Sequence, residues 1–224
     1  MKILFLGTGA ADWKRERHRD LPGYRRNASA LIDGCLLVDP GPDVPDALAT
    51  FGVKQDEIRY ILNTHKHADH YSPLTVETLT GAELYSMRAG DELVLGAYRI
   101  LALPANHGTC KDAVHFLISD GEKALFYGLD GAWLLYEEFV AIRERTVDLA
   151  VLDATVGEAK GDYRIFEHND LSMVCEMKHT LAPYVHRFCI SHMARTLHTS
   201  HEELACRMAK EGIEVAFDGY QIEL

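Results

Sequence analysis

The sequence predicts an α/β fold of two packed sheets with helices on the outside, and three observations lead there. The first half of the 224-residue chain is dense in short apolar runs joined by hairpin turns. The second half alternates helical and strand-like stretches. The composition, 47% hydrophobic and 25% charged, is that of an ordinary globular protein rather than a disordered one. At this length one sizeable domain spanning 1–224 is expected.

The elements follow in order. The opening KILFLG is a strand, and SALIDGCLLVDPG reads as two strands turning at Asp33-Gly34, a type I′ hairpin signal. Pro45 to Phe51 is a helix, and IRYILNT is a buried strand. DELVLGAYRILALPA is a hairpin turning near Gly96, and DAVHFLISDGEKALFYGLDGA is another turning at Asp120-Gly121. Trp133 to Arg145 is predicted helical, and VDLAVLDAT is an apolar strand. Leu171 to Thr180 is a helix that Asn169 or Asp170 can cap. HRFCISH is a strand, and Ser200 with Glu203 forms a capping-box signal for a helix to Lys210. Asp218-Gly219 reads as a turn.

Charge and cysteine usage narrow the function classes. With 23 Lys+Arg against 34 Asp+Glu the formal charge is −11, which disfavours a protein that wraps nucleic acid, although a local basic patch is compatible with it. No apolar run approaches the roughly 20 residues of a membrane span, and the N-terminal run is too short for a signal-peptide core. The five cysteines are odd in number and form no C-x-x-C pair, as in a cytosolic protein with reduced thiols. Cytoplasm is the expected location.

The stretch NTHKHADH carries the chemistry. His65, His67, Asp69 and His70 spell H-x-H-x-D-H directly after an apolar strand. A single histidine there would be an ordinary polar loop residue; imidazoles and a carboxylate at this spacing are a ligand set for zinc, manganese or iron. Four donors in so tight a loop cannot all face one ion. They divide into His65 and His67 on one and Asp69 and His70 on the other, and each ion needs further ligands. His107, Asp130 and His192 each follow a later apolar run and can supply them.

In this order of motifs the chain resembles hydrolases of the metallo-β-lactamase fold over nearly its whole length. The resemblance implies an αββα four-layer sandwich and two divalent ions. The first would be held by His65, His67 and His107, the second by Asp69, His70 and His192, with Asp130 bridging both. Asp153, in AVLDATVG, competes for the bridging role; the family order after His107 favours Asp130, and Asp153 is expected to cap or hydrogen-bond nearby. Two such ions lower the pKa of a bridging water to about 7, so a metal-bridging hydroxide attacks, with Asp69 orienting it.

Substrate cues point to phosphodiesters. FLGTGA, RRNASALID and ISHMAR are similar to the tRNase Z and PhnP-like phosphodiesterase branch, and the C-terminal stretch resembles PhnP-type cyclic phosphodiesterases. That implies a small, cyclic or open phosphodiester as partner, with a homodimer by analogy. The cysteines that hold a structural zinc in the early loop of PhnP proteins are missing here, so that zinc is not expected. His168 matches the region where the branch carries a proton donor to the leaving oxygen, and a histidine pKa suits that role; it can equally be a plain helix-start residue. Arg26, with Arg25 and Asn27, suits a phosphate or a solvated loop, and His198 suits the pocket lining or a bond to a metal ligand. A lactone, thioester or β-lactam hydrolase on the same ions is the alternative, followed by a non-hydrolytic metal protein.

Overall fold

The structure is a computed structural model describing residues 1–224. Met1–Met87 with Ala216–Leu224 form one compact unit and Arg88–Val215 a second, each built on its own sheet. The α/β class with two sheets flanked by helices is the one the sequence predicts. No helix is long and apolar enough to cross a membrane.

The first unit contains β1 (Lys2–Gly7), α1 (Arg15–His18), β2 (Ser29–Ile32), β3 (Leu36–Val38), α2 (Val44–Thr50), β4 (Tyr60–Asn63), α3 (Pro73–Thr78) and β5 (Glu83–Ser86), with β13 (Gln221–Glu223) from the last residues. The strand order is β13-β1-β2-β3-β4-β5. The hairpin between β2 and β3 turns where predicted. Asp33 and Gly34 have φ of 48° and 71°, and the Cys35 N–H donates to the Ile32 carbonyl at 3.0 Å, as a type I′ turn requires. After that hairpin, β3, β4 and β5 run parallel. Val44, Ala47 and Leu48, at helical spacing on α2, are buried in one core with Leu6, Leu31, Leu37 and Ile61.

The second unit contains β6 (Glu92–Leu95), β7 (Tyr98–Pro104), β8 (Val114–Ser119), β9 (Ala124–Gly128), α4 (Tyr136–Arg145), β10 (Val147–Asp153), α5 (Leu171–Leu181), β11 (Val185–Ser191), α6 (His201–Lys210) and β12 (Ile213–Val215). Its order is β12-β11-β10-β9-β8-β7-β6, parallel from β9 to β12 and antiparallel from β6 to β9. β10 is buried at every position but Asp148, which is why it reads as a continuous apolar run. Val174 and Leu181 of α5 and Leu204 and Met208 of α6 share a core with Phe126, Leu152, Phe188 and Ile190 from the strands.

Four helices and strands depart from the sequence reading, among them the short α1, for which no helix was expected. α4 begins at Tyr136 rather than Trp133, because the Glu138 carboxylate accepts from the Leu135 N–H at 2.7 Å and holds that residue extended. α3 was not predicted, although its start carries a signal: Ser72 caps it by accepting from Thr75 N–H, and Pro73 follows. β5 has no fully buried residue, so no alternation marked it.

Candidate metal centre

In the first unit, β3 and β4 are parallel neighbours and end at the same edge, the usual location of ligand sites in open α/β sheets. β3 runs into Asp39 and β4 into Thr64–His70. Asp39 is fully buried. One of its oxygens accepts from the Thr64 N–H and the Thr64 hydroxyl, both at 2.8 Å, and the other lies 2.8 Å from His70 Nδ1. A carboxylate can only accept there, so the proton sits on His70 Nδ1 and the lone pair on Nε2. The same reasoning applies to His65. Its Nδ1 lies 3.0 Å from the Thr64 hydroxyl, whose proton already goes to Asp39, so Nδ1 donates and Nε2 carries the lone pair.

The rest of the loop is wound tightly about these rings. His65 lies 4.5 Å, ring to ring, from both His67 and His70. Asp69 Oδ2 is 3.5 Å from His70 Nε2. The N–H groups of His70 and Tyr71 both donate to the His67 carbonyl. A Cβ on Gly41 would stand 2.3 Å from the Asp69 carbonyl oxygen, so the loop backbone closes onto a position only glycine fits.

In the second unit, β7, β9, β10 and β11 all point the same way. Their C-terminal ends deliver His107, Asp130, Asp153 and His192 to one edge. Asp153 is fully buried. Its Oδ1 accepts from the N–H groups of Thr155 and Asn169, at 2.9 and 3.1 Å. Its Oδ2 lies 2.9 Å from the Thr155 hydroxyl, 3.1 Å from His168 Nδ1 and 3.2 Å from His192 Nδ1. The Thr155 hydroxyl is also 2.7 Å from His192 Nδ1, so both of these rings are held by Nδ1. Asp130 Oδ1 is 3.0 Å from His168 Nδ1, and Asp130 Oδ2 is 3.7 Å from His107 Nε2. The donor atoms of Asp130, Asp153, His168 and His192 all lie within 4.8 Å of one another, as do those of His107, Glu167 and His168.

Backbone strain and charge both concentrate at these positions. Asp39, Asp130 and His192 have φ of 60°, 65° and 63°, three of the five non-glycine residues in the left-handed region. Burial pulls the His168 pKa down, but the Asp153 charge and its bonds to Asp130 and Asp153 outweigh it and lift the ring to about 10. Burial raises the Asp153 carboxyl, yet His168 and His192 together hold it well below the usual carboxylate range.

A stability prediction follows from the raised His168 pKa. Its contribution in the metal-free protein is fully present below pH 6.5 and is lost as pH rises through about 10. Urea unfolding at intervals from pH 6.5 to 10 should therefore show a steeper decline for the native chain than for His168→Gln; parallel curves would refute the pairing.

The remaining predicted residues have other partners. The Arg26 guanidinium is engaged by Asp46 (2.7 Å), Thr50 (2.9 Å) and Asp218 (3.5 Å) and sits over the Phe51 ring. Arg25 is buried against the Thr8 hydroxyl and the Ala216 carbonyl. Asp218, read from sequence only as a turn, accepts from the Thr8 hydroxyl and the Arg26 N–H and so ties β1 to the following loop. His198 is half-buried, with its ring against Gly157. Asp39 and Thr155 were missed. The available signal for Asp39 was the one used for Asp153, a carboxylate closing an apolar strand.

A family model described as the metallo-beta-lactamase superfamily matches residues 24–74, which include the histidine loop. The metallo-beta-lactamase fold protein YhfI from Bacillus subtilis superposes with a TM-score of 0.77 at 15% identity, over 100% of this chain and 99% of that one. The chain is a metallo-β-lactamase-fold protein. A diphosphatase from the PhnP family is similar over 100% of this chain and 96% of its own, with a TM-score of 0.75 and 19% identity. Human tRNase Z, short form, is similar over 100% and 99%, with a TM-score of 0.76 and 15% identity. Among curated proteins none matches the sequence.

On this metallo-β-lactamase fold the donor chemistry of each unit fits a divalent ion of the zinc, manganese or iron kind. The donors are imidazole nitrogens and carboxylate oxygens. His70 and His192 are each fixed through Nδ1 to a buried carboxylate, the bonding that aims a ring's Nε2 at a metal.

Proposed function

We propose that this protein is a metal-dependent hydrolase of phosphodiesters, acting through two divalent ions. His65, His67 and His107 would hold one, Asp69, His70 and His192 the other, and Asp130 would bridge them. The observation that carries the reading is the pair of buried carboxylates behind the rings, Asp39 on His70 and Asp153 on His192. Burying two such carboxylates without ordered partners would cost several kcal/mol, and their bonding serves to fix imidazoles. The similarity to a PhnP-family diphosphatase and to a tRNase supports phosphate esters as the substrate class.

Bound divalent ions supply Lewis acidity and lower the pKa of water to about 7. The chain's own residues do the rest. The Asp69 carboxylate, beside His70 Nε2, takes a proton from the attacking water as its oxygen bonds to phosphorus. The leaving P–O bond breaks, and the departing oxygen takes a proton from His168 Nε2. Asp153 and Asp130 hold that ring by Nδ1 in the cationic form needed to give the proton up. The products are a phosphomonoester and an alcohol, and proton exchange with solvent resets both groups.

The test is hydrolysis of bis(p-nitrophenyl) phosphate by protein reconstituted in turn with zinc, manganese and iron, with bound metal counted by elemental analysis. Turnover that tracks metal content is expected. Two ions bound with no turnover on any diester, and turnover on a lactone instead, would overturn the substrate class.

A further inference from the structure

His115 of β8 and Glu138 of α4 form a buried pair in the second unit that the proposed reaction does not use. Both are enclosed, at 1% and 0% exposure. His115 belongs to none of the clusters of candidate metal donors. Its Nδ1 donates to Glu138 Oε1 at 2.5 Å, since an ionised carboxylate can only accept. Glu138 Oε2 accepts from the Leu135 N–H at 2.7 Å, so both ends of that carboxylate are fixed. Apolar side chains of the same volume are often as stable as a buried ionisable pair. Stability alone therefore does not account for these two residues.

What the ring touches gives it a task. A Cβ on Gly131 would stand 2.8 Å from both Cε1 and Nε2 of His115. The far edge of the ring thus lies against the backbone one residue past Asp130, at a place only glycine leaves open. Two hydrogen bonds tie the same stretch. The Gly131 carbonyl accepts from Asn169 Nδ2, and the Ala132 N–H donates to the Asn106 carbonyl, both at 3.0 Å. Asn106 in turn precedes His107, so this stretch sets Asp130 relative to a second donor. Asp130 holds a φ of 65°, which a residue with a side chain keeps only where its surroundings enforce it.

We propose that His115 is a positioning residue for the metal centre: oriented by Glu138, its ring edge braces Gly131 and so fixes the backbone that aims the Asp130 carboxylate. The inference rests on the two-ion reading, in which Asp130 bridges the ions. His115 touches neither substrate nor metal. It acts through one backbone contact, and Glu138 acts through His115 by holding the ring at Nδ1.

The probe is zinc binding by the metal-free protein, followed by calorimetry, with urea unfolding of the same samples. His115→Ala should weaken zinc binding at least about tenfold, the size expected when a group that orients a ligand is lost. Glu138→Gln keeps an acceptor for Leu135 and a partner for the ring, and should bind zinc nearly as the native chain does. Gly131→Ala leaves the His115–Glu138 pair intact, and should weaken zinc binding because its Cβ meets the ring. In the His115→Ala background the same change should add little, a coupling that a purely structural pair would not show. A lowered urea midpoint in His115→Ala with native zinc affinity would overturn the proposal, as would independent losses from the two changes. If His115→Ala does not fold, native zinc affinity in Gly131→Ala overturns it alone. Asp130→Asn separates this failure from that of the two-ion reading. Native zinc binding by Asp130→Asn would remove Asp130 as a ligand and sink the reading. A loss there without one in His115→Ala would remove the positioning role only.

Discussion

Hydrolysis of bis(p-nitrophenyl) phosphate by the metal-loaded protein is expected to fall at least about a thousandfold in Asp69→Ala, about 4 kcal/mol of barrier. In the proposed reaction the carboxylate does two things, ligating one ion and taking the proton of the attacking water, and proton transfer alone is typically worth about 10²- to 10⁴-fold. The fold should survive the change. The loop backbone is fixed by the His67 carbonyl, which accepts from His70 and Tyr71, and by the approach of the Asp69 carbonyl to Gly41. None of these contacts uses the Asp69 side chain. Elemental analysis should show bound metal falling from two ions toward one while the far-UV spectrum stays native. A variant that keeps both ions and full turnover would remove Asp69 from the chemistry.

Asp39→Ala should be the most destabilising single change near the histidine loop, at about 3–5 kcal/mol in urea unfolding of the metal-free protein. The carboxylate is fully buried, and its removal strands the Thr64 N–H, the Thr64 hydroxyl and His70 Nδ1. Each orphaned buried donor costs about 1–3 kcal/mol. Metal affinity should drop about 10- to 100-fold as well, because a ring no longer held at Nδ1 no longer aims its Nε2. Asp39→Asn keeps one acceptor and a similar shape and should fall between the two. Loss of less than about 1 kcal/mol with unchanged metal affinity in Asp39→Ala would show that His70 is oriented by something else.

Most of the strand framework was legible in the sequence because its signals are local. Asp33-Gly34 and Asp120-Gly121 mark hairpin turns whatever surrounds them, and the apolar runs of β4 and β10 reflect burial on both faces. The candidate donors were legible for a related reason: H-x-H-x-D-H is a local spacing, and His107, Asp130 and His192 each close an apolar run. What the sequence concealed is non-local. Asp39 and His70 are 31 positions apart and meet only because β3 and β4 pair in parallel. Asp218 looked like a plain turn because its partners, Thr8 and Arg26, lie about 200 positions away. Arg26 has non-local partners of the same kind. A basic pair before an asparagine suits a phosphate or a solvated loop, and the folded chain sets that guanidinium against Asp46 and Asp218.

The left-handed backbone at Asp39, Asp130 and His192 restricts which amino acids these positions can accept. Valine, isoleucine and threonine, which suit strand ends well, are disfavoured there, because a branched Cβ clashes with its own carbonyl at positive φ. Asparagine and glycine tolerate that conformation. Asp130 and His192 therefore have few structurally neutral replacements, and an alanine there adds backbone strain to lost chemistry. At both positions asparagine is the substitution that separates the two, since it holds the chain in place while changing the donor.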